Sequence, residues 1–191
     1  AASDVYKRQI YTLSTPSSLT DGKSLTLKFH NDGTEHILVG ARGTVSFDLT
    51  VKKIPTMKFT FTGLLGNISS QPIPASTYQD IVPVPVSTDN TKLTSFFGLT
   101  TIPLMESLTV DLANEVKLRT LVGGQHVVIS DRKPKGNIKF EAPSVDGANG
   151  HNFFNDVVKT NKGSLSVTHG NLDGYKVKIA VSYTHLRAHE T

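Results

Sequence analysis

Residues 57–65 read MKFTFTGLL. Successive side chains of an extended chain point to opposite faces, so Met57, Phe59 and Phe61 share one face and Lys58, Thr60 and Thr62 the other. One greasy face and one wet face is the pattern of an antiparallel sheet, and it predicts a mainly β fold. The same period runs upstream. Val45, Phe47 and Leu49 alternate with Ser46 and Asp48, behind a break predicted at Gly40-Ala41-Arg42-Gly43. Further back, Leu25, Leu27 and Phe29 alternate with Thr26 and Lys28. Asn31-Asp32-Gly33 then supplies a tight turn into a strand over residues 35–39, because Asp and Gly tolerate the positive φ such turns demand.

Downstream the pattern lapses and returns. Residues 66–104 hold Pro72, Pro74, Pro83, Pro85 and Pro103. Proline cannot donate to a strand ladder, so this stretch reads as one long connection, either a surface loop or an intersubunit arm. Alternation resumes with Leu108, Val110 and Leu112. Residues 127–129 and the series Ile138, Phe140, Ala142 flank a polar turn at 131–136, which predicts a second hairpin with a charged tip. Residues 151–159 (HNFFNDVVK) put Phe153, Phe154, Val157 and Val158 on one helical stripe. Leu165, Val167 and His169, a turn at 171–174 and a strand over 175–181 close the chain. Eight or nine strands and one short α-helix predict an antiparallel β-sandwich or barrel.

A length of 191 residues suits one domain, and 37% hydrophobic with 19% charged residues is ordinary for a globular chain. Nothing approaches eighteen consecutive apolar residues, which excludes a membrane-spanning helix. The first residues show no basic-then-apolar signal pattern. Cysteine is absent, so disulfides and thiolate metal sites are excluded and stability must come from burial, within the chain or shared with neighbouring subunits. Residues 1–9 (AASDVYKRQ) and 182–191 (SYTHLRAHET) read differently from the rest and resemble translated sequencing-adapter tails found on metagenomic reading frames. On this reading the native domain spans 10–181, with 66–104 as its Pro-rich loop, and the natural protein is cut at both ends. Without the tails the formal charge falls from +4 to about +3, too small an excess for the dense basic stripe of a nucleic-acid binder.

Chemistry is sought and not found. The sequence holds no G-x-S-x-G elbow, no phosphate-cradling P-loop and no H-E-x-x-H pair. Gly123-Gly124-Gln125 reads as a turn. His30, His36, His126, His151 and His169 are scattered without ligand spacing; His30 and His36 flank the first turn, where they can meet across it as solvated side chains. Asp111 and Glu115 form either a carboxylate pair or, the plainer reading, salt bridges with Lys117 or Arg119. Residues 146–150 (DGANG) lack the spaced acids of a calcium loop and instead feed the helix. Phe59 and Phe61 read as core rather than as a stacking platform for single-stranded nucleic acid. No catalytic, cofactor-binding or metal site is predicted.

Three segments together resemble the tail tube proteins of long-tailed bacteriophages: GARGTVSFDLTVKKIPTMKFTFTGLL (40–65), LTVDLANEVKLRTL (108–121) and VVISDRKPKGNIKFEAP (127–143), the last followed by the Phe153-Phe154 helix and GSLSVTHG (163–170). The order and spacing cover most of residues 20–180. The resemblance implies a structural virion protein that closes into hexameric rings and stacks into a tube. It implies a lumen that holds the tape-measure protein and passes the genome, with synthesis in the bacterial host cytoplasm. It implies no cofactor, no reaction, no membrane and no small-molecule substrate. Asp131, Arg132, Lys133 and Lys135, a dense charge cluster at the predicted hairpin tip, are the candidate intersubunit contacts; a solvated turn is the plain alternative. The rival readings are another tail ring component, such as a terminator or baseplate hub piece, and a β-sandwich ligand-binding module.

Overall fold

The computed structural model describes residues 12, 23–77, 82–146, 150–172 and 175–185, the side chains of the last four aside. Ten strands and one helix run in the order β1 Leu25–Asn31, β2 Thr34–Thr50, β3 Thr56–Ser70, β4 Thr91–Phe96, β5 Met105–Asp111, β6 Asn114–Leu121, β7 Gly124–Arg132, β8 Lys135–Phe140, α1 Phe153–Lys159, β9 Lys162–His169 and β10 Val177–His185. All pairings are antiparallel. β2 is the spine of the first sheet. β3 lies along one of its edges, and β1 and then β5 share the other, with β8 outside β5. β10, β9 and β4 form a second sheet, and β6 with β7 a separate two-stranded ribbon.

The two sheets pack face to face. Leu49, Leu108, Val86, Phe96, Leu165 and Val167 are buried between them, with Phe47, Val110, Ile138, Phe140 and Phe153 against them. Phe96 is the hub: its ring meets Phe97, Phe140 and Phe153 at centroid distances of 5.2, 4.9 and 5.7 Å. The expected antiparallel sandwich with one short helix is the fold.

The first turn forms as the residues predict. Asp32 and Gly33 take φ of 45° and 75°, and Asn31 pairs with Thr34, so two residues with left-handed backbone close the hairpin. The expected break at Gly40 is instead a bulge inside one continuous 17-residue strand. Gly40 takes φ of 62°, which absorbs the extra residue and lets β2 keep both neighbours. Gly43 then sits directly opposite Phe61, where a Cβ would run into the Phe61 ring and the Thr60 carbonyl. Gly43→Val is therefore expected to cost about 1–3 kcal/mol through overpacking, read as a lower midpoint in urea unfolding with an unchanged slope.

Other expectations are corrected. Residues 66–104 are not one irregular connection: β3 continues to Ser70, β4 lies within the stretch, and Val86 is core. Val86 is fixed there because its N–H donates to Lys53 O and its carbonyl accepts from Lys52 N. The predicted hairpin around 131–136 does not exist. β7 pairs with β6 and β8 with β5, so the chain changes sheets between Arg132 and Lys135. Pro134 sits in that crossing, where a missing N–H costs nothing. The helical stripe is also split. Phe153 enters the core, whereas Phe154 and Val158 are 72% and 81% exposed. β10 spans Val177–His185. Residues 1–9 lie outside the described residues.

Candidate assembly surfaces

The first sheet is amphipathic by register. On its wet face, Lys58, Ser46, Asp111 and Lys135 form one row across four strands. Thr56, Asp48, Thr109 and Asn137 form the next, and Thr50, Ser107 and Lys139 a third. No apolar side chain enters these rows. The face is hollowed into a shallow trough of about 430 Å³ lined largely by the first two of them. Part of its charge is tied down locally, while Lys58 and Lys135 are in no ion pair among the described residues. Asp48 accepts from Thr50 Oγ1 at 2.7 Å, Asp111 accepts from Ala113 N at 2.8 Å, and Lys139 pairs with Glu106 at 2.9 Å.

The opposite face is apolar and wider than its cover. Phe47, Leu49, Leu108 and Val110 lie under the second sheet, but no β3 side chain joins that core among the described residues. Met57 stands opposite Phe47 and Phe59 opposite Val45, and both are more than half exposed. Phe59 and Phe61 stack in parallel at 6.0 Å. The expectation that Phe59 is core fails within the chain, because the second sheet stops short of β3. Farther along, Leu27, Leu38 and Leu65 form a row, then Phe29, His36 and Ile68, and Phe29, Leu65 and Ile68 are largely exposed. β3 also pairs with no strand on its outer edge among the described residues. An uncovered apolar margin beside an open strand edge is the kind of surface that marks an interaction site.

The charged cluster has a different setting from the one expected. Asp131, Arg132, Lys133 and Lys135 stand at the root of the β6–β7 ribbon, not at a tip. Asp131 accepts from Arg132 N at 2.7 Å and pairs with Lys133 at 3.1 Å. The Lys133 hydrogen bond holds the Asp131 carboxyl below its ordinary value, and Asp131 in turn raises Lys133. Arg132 Nε donates to Asn114 Oδ1 at 2.7 Å, and Lys135 faces Asp111 across β5 and β8. Asn114 is itself held by Thr44 Oγ1 and Gly43 O, which bolts the ribbon root to β2. The ribbon's actual tip is Val122-Gly123, with Gly123 at φ of 92°; of the turn expected at Gly123-Gly124-Gln125, Gly123 is in the turn and Gly124 and Gln125 open β7.

The remaining candidates take structural roles. Glu115 pairs with Lys117 at 2.6 Å, and that hydrogen bond holds its carboxyl low. His30 faces Glu35 at 3.3 Å while His36 stands opposite Phe29, so the two histidines lie on opposite faces and do not meet. His169 bonds Thr91 Oγ1 at 2.8 Å. Among the described residues no three His, Cys, Asp or Glu side chains converge as a metal site would require, and no helix is long and apolar enough to cross a membrane.

Asp156 anchors the helix. Burial alone raises its carboxyl, but hydrogen bonds from Asn161 Nδ2 (2.8 Å) and His151 Nε2 (2.5 Å) outweigh this and hold it below the ordinary value. A carboxyl depressed in the fold contributes stability that is full above its unfolded value, about pH 4, and lost as pH falls through the folded value. Asp156→Ala is expected to cost about 1–2 kcal/mol at neutral pH and to flatten the loss of melting temperature below pH 4. Thermal melts of both proteins across pH 2–7 check this.

A family model described as phage tail tube protein matches residues 4–184. No curated protein matches the chain. A β-rich chain that leaves an apolar sheet margin to be covered, and that the family model spans almost end to end, is a structural protein of the viral tail: it belongs to the phage tail tube protein family.

Proposed function

We propose that copies of this chain close side by side into hexameric rings and that the rings stack into a hollow tube, the conduit for DNA during ejection. The observation that carries this reading is β3, fifteen residues long, open along its outer edge among the described residues and exposed on its apolar face at Met57, Phe59, Leu65 and Ile68. Among the described residues the first sheet also has open edges at β8 and at the shorter β1. Joining the β3 edge of one copy to the β8 edge of the next is a heterologous contact, which repeats around a ring until it closes and leaves neither of these two edges free. Asp131, Arg132, Lys133 and Lys135 lie where the ribbon meets β8, which makes them contacts for the neighbouring copy. The hollowed polar face supports a lumen wall: Ser, Thr and Asn side chains separate Lys58, Lys135 and Lys139, and Asp48 and Asp111 lie among the same rows, so a passing polyanion meets no dense cationic stripe on which to lodge. The tape-measure protein fills that lumen before DNA does. As a tail tube protein the chain is a component of the virion, and in this reading it is made in the host cytoplasm.

Negative-stain electron microscopy of the purified chain at rising concentration tests the proposal. Tubes of uniform diameter are expected. Single rings that never stack would favour a terminator or hub component. A monomer at every concentration would favour a ligand-binding sandwich.

A further inference from the structure

We infer that the β6–β7 ribbon is an assembly arm that docks on a second copy of this chain, against the α1 end of its sandwich. This rests on the tube reading above. The ribbon packs on β2 and β3 near its root, but residues 117–126 are exposed on both strands. A bare two-stranded hairpin is marginally stable in water and needs a surface on which to lie. Its free half carries Leu118, Leu121 and Val122, all exposed, with Lys117, Arg119 and His126 around them. No carboxylate occurs in residues 116–130, and Arg119 is in no ion pair among the described residues.

One surface of the same chain has the complementary chemistry. Phe154 and Val158, one helical turn apart on α1, are exposed, as are Leu104 and Val145. Glu141 and Asp146 lie among them, exposed and in no ion pair among the described residues. The patch is tied together: Glu141 N donates to Leu104 O and His151 N to Ser144 O, both at 2.9 Å. An apolar centre beside Arg119 thus matches an apolar centre beside the Glu141 and Asp146 carboxylates, with Lys159 at the far end of α1, the anatomy of a specific interface. α1 packs on Phe96 and Phe140 of the core, whereas the ribbon packs on β2 and β3, so the two surfaces serve different neighbours. A head-to-tail contact of this kind propagates without closing on itself, as a stack of rings requires.

The chain has no cysteine, which allows a clean test. Val122→Cys and Val158→Cys are introduced together and the assembled protein is treated with a short bis-maleimide. A ladder of covalent multimers is expected, and none from a Val122→Cys, Ile73→Cys control. Arg119→Glu is expected to raise the critical concentration for tubes about tenfold, and Glu141→Lys with Asp146→Lys to restore it. All these positions are exposed, and circular dichroism confirms folding. If the wild type forms tubes while the cysteine pair gives no ladder and Arg119→Glu assembles normally, the arm is overturned and the tube reading stands. A wild type that stays monomeric at every concentration overturns both.

Discussion

Phe59→Asp is expected to abolish tube assembly while leaving the subunit folded. Phe59 is 55% exposed in the single chain, so the substitution removes little that holds the subunit together. Its melting temperature should move by no more than a few degrees. In a ring the same ring face is covered by the neighbour. Burying roughly 100 Å² of phenyl surface is worth about 2.5 kcal/mol per contact, and an unpaired carboxylate placed there adds a desolvation cost. The combined effect is a rise in critical concentration of at least about a hundredfold, applied at every contact around the ring. Sedimentation and electron microscopy of the variant beside the wild type check it. Tubes of normal length would show that the uncovered β3 margin is not an interface. A variant that unfolds would show that Phe59 supports the subunit itself.

The second large effect is on the subunit alone. Phe96→Ala is expected to cost about 3–5 kcal/mol, the range for removing a buried aromatic ring that its surroundings cannot refill. Phe96 is 1% exposed and touches Phe140 from the first sheet, Phe97 beside it and Phe153 from α1. It therefore joins three elements that no backbone ladder connects. For a domain of this size the melting temperature should fall by roughly 10 °C or more. Amide exchange in α1 should accelerate most, since the helix has no fully buried residue and holds to the sandwich mainly through Phe153. A loss below about 1 kcal/mol would mean that the two sheets are not joined through this cluster.

These two phenylalanines mark different limits of inference from sequence. Phe59 sits in the clearest alternation of the chain, and its face was legible at once; that the face is left bare was not. Phe96 sits in a stretch where prolines mask the strand, and nothing local distinguishes its burial from that of Phe97. The ribbon shows a third case. β6, NEVKLRTL, interleaves Val116 and Leu118 with Glu115, Lys117 and Arg119 but is exposed over most of its length, so its short alternation marks no core. The Asp131 cluster shows a fourth: two strands and a polar connection look like a hairpin whichever partners the strands take.

The sequence by itself determined the class of fold, the alternating faces of β1, β2, β3 and β5, the Asp32-Gly33 turn, a turn at Gly123 and the helix. It also carried the order of segments by which the tail tube family was recognised. These are local properties, since backbone geometry fixes which side chain points where and which residues accept positive φ. The tertiary structure alone decided that β2 runs through Gly40 unbroken and that β7 and β8 part into different sheets. It alone left β3 outside the cover of the second sheet. Those outcomes depend on what packs opposite a face, and that partner is set by chain segments tens of residues away.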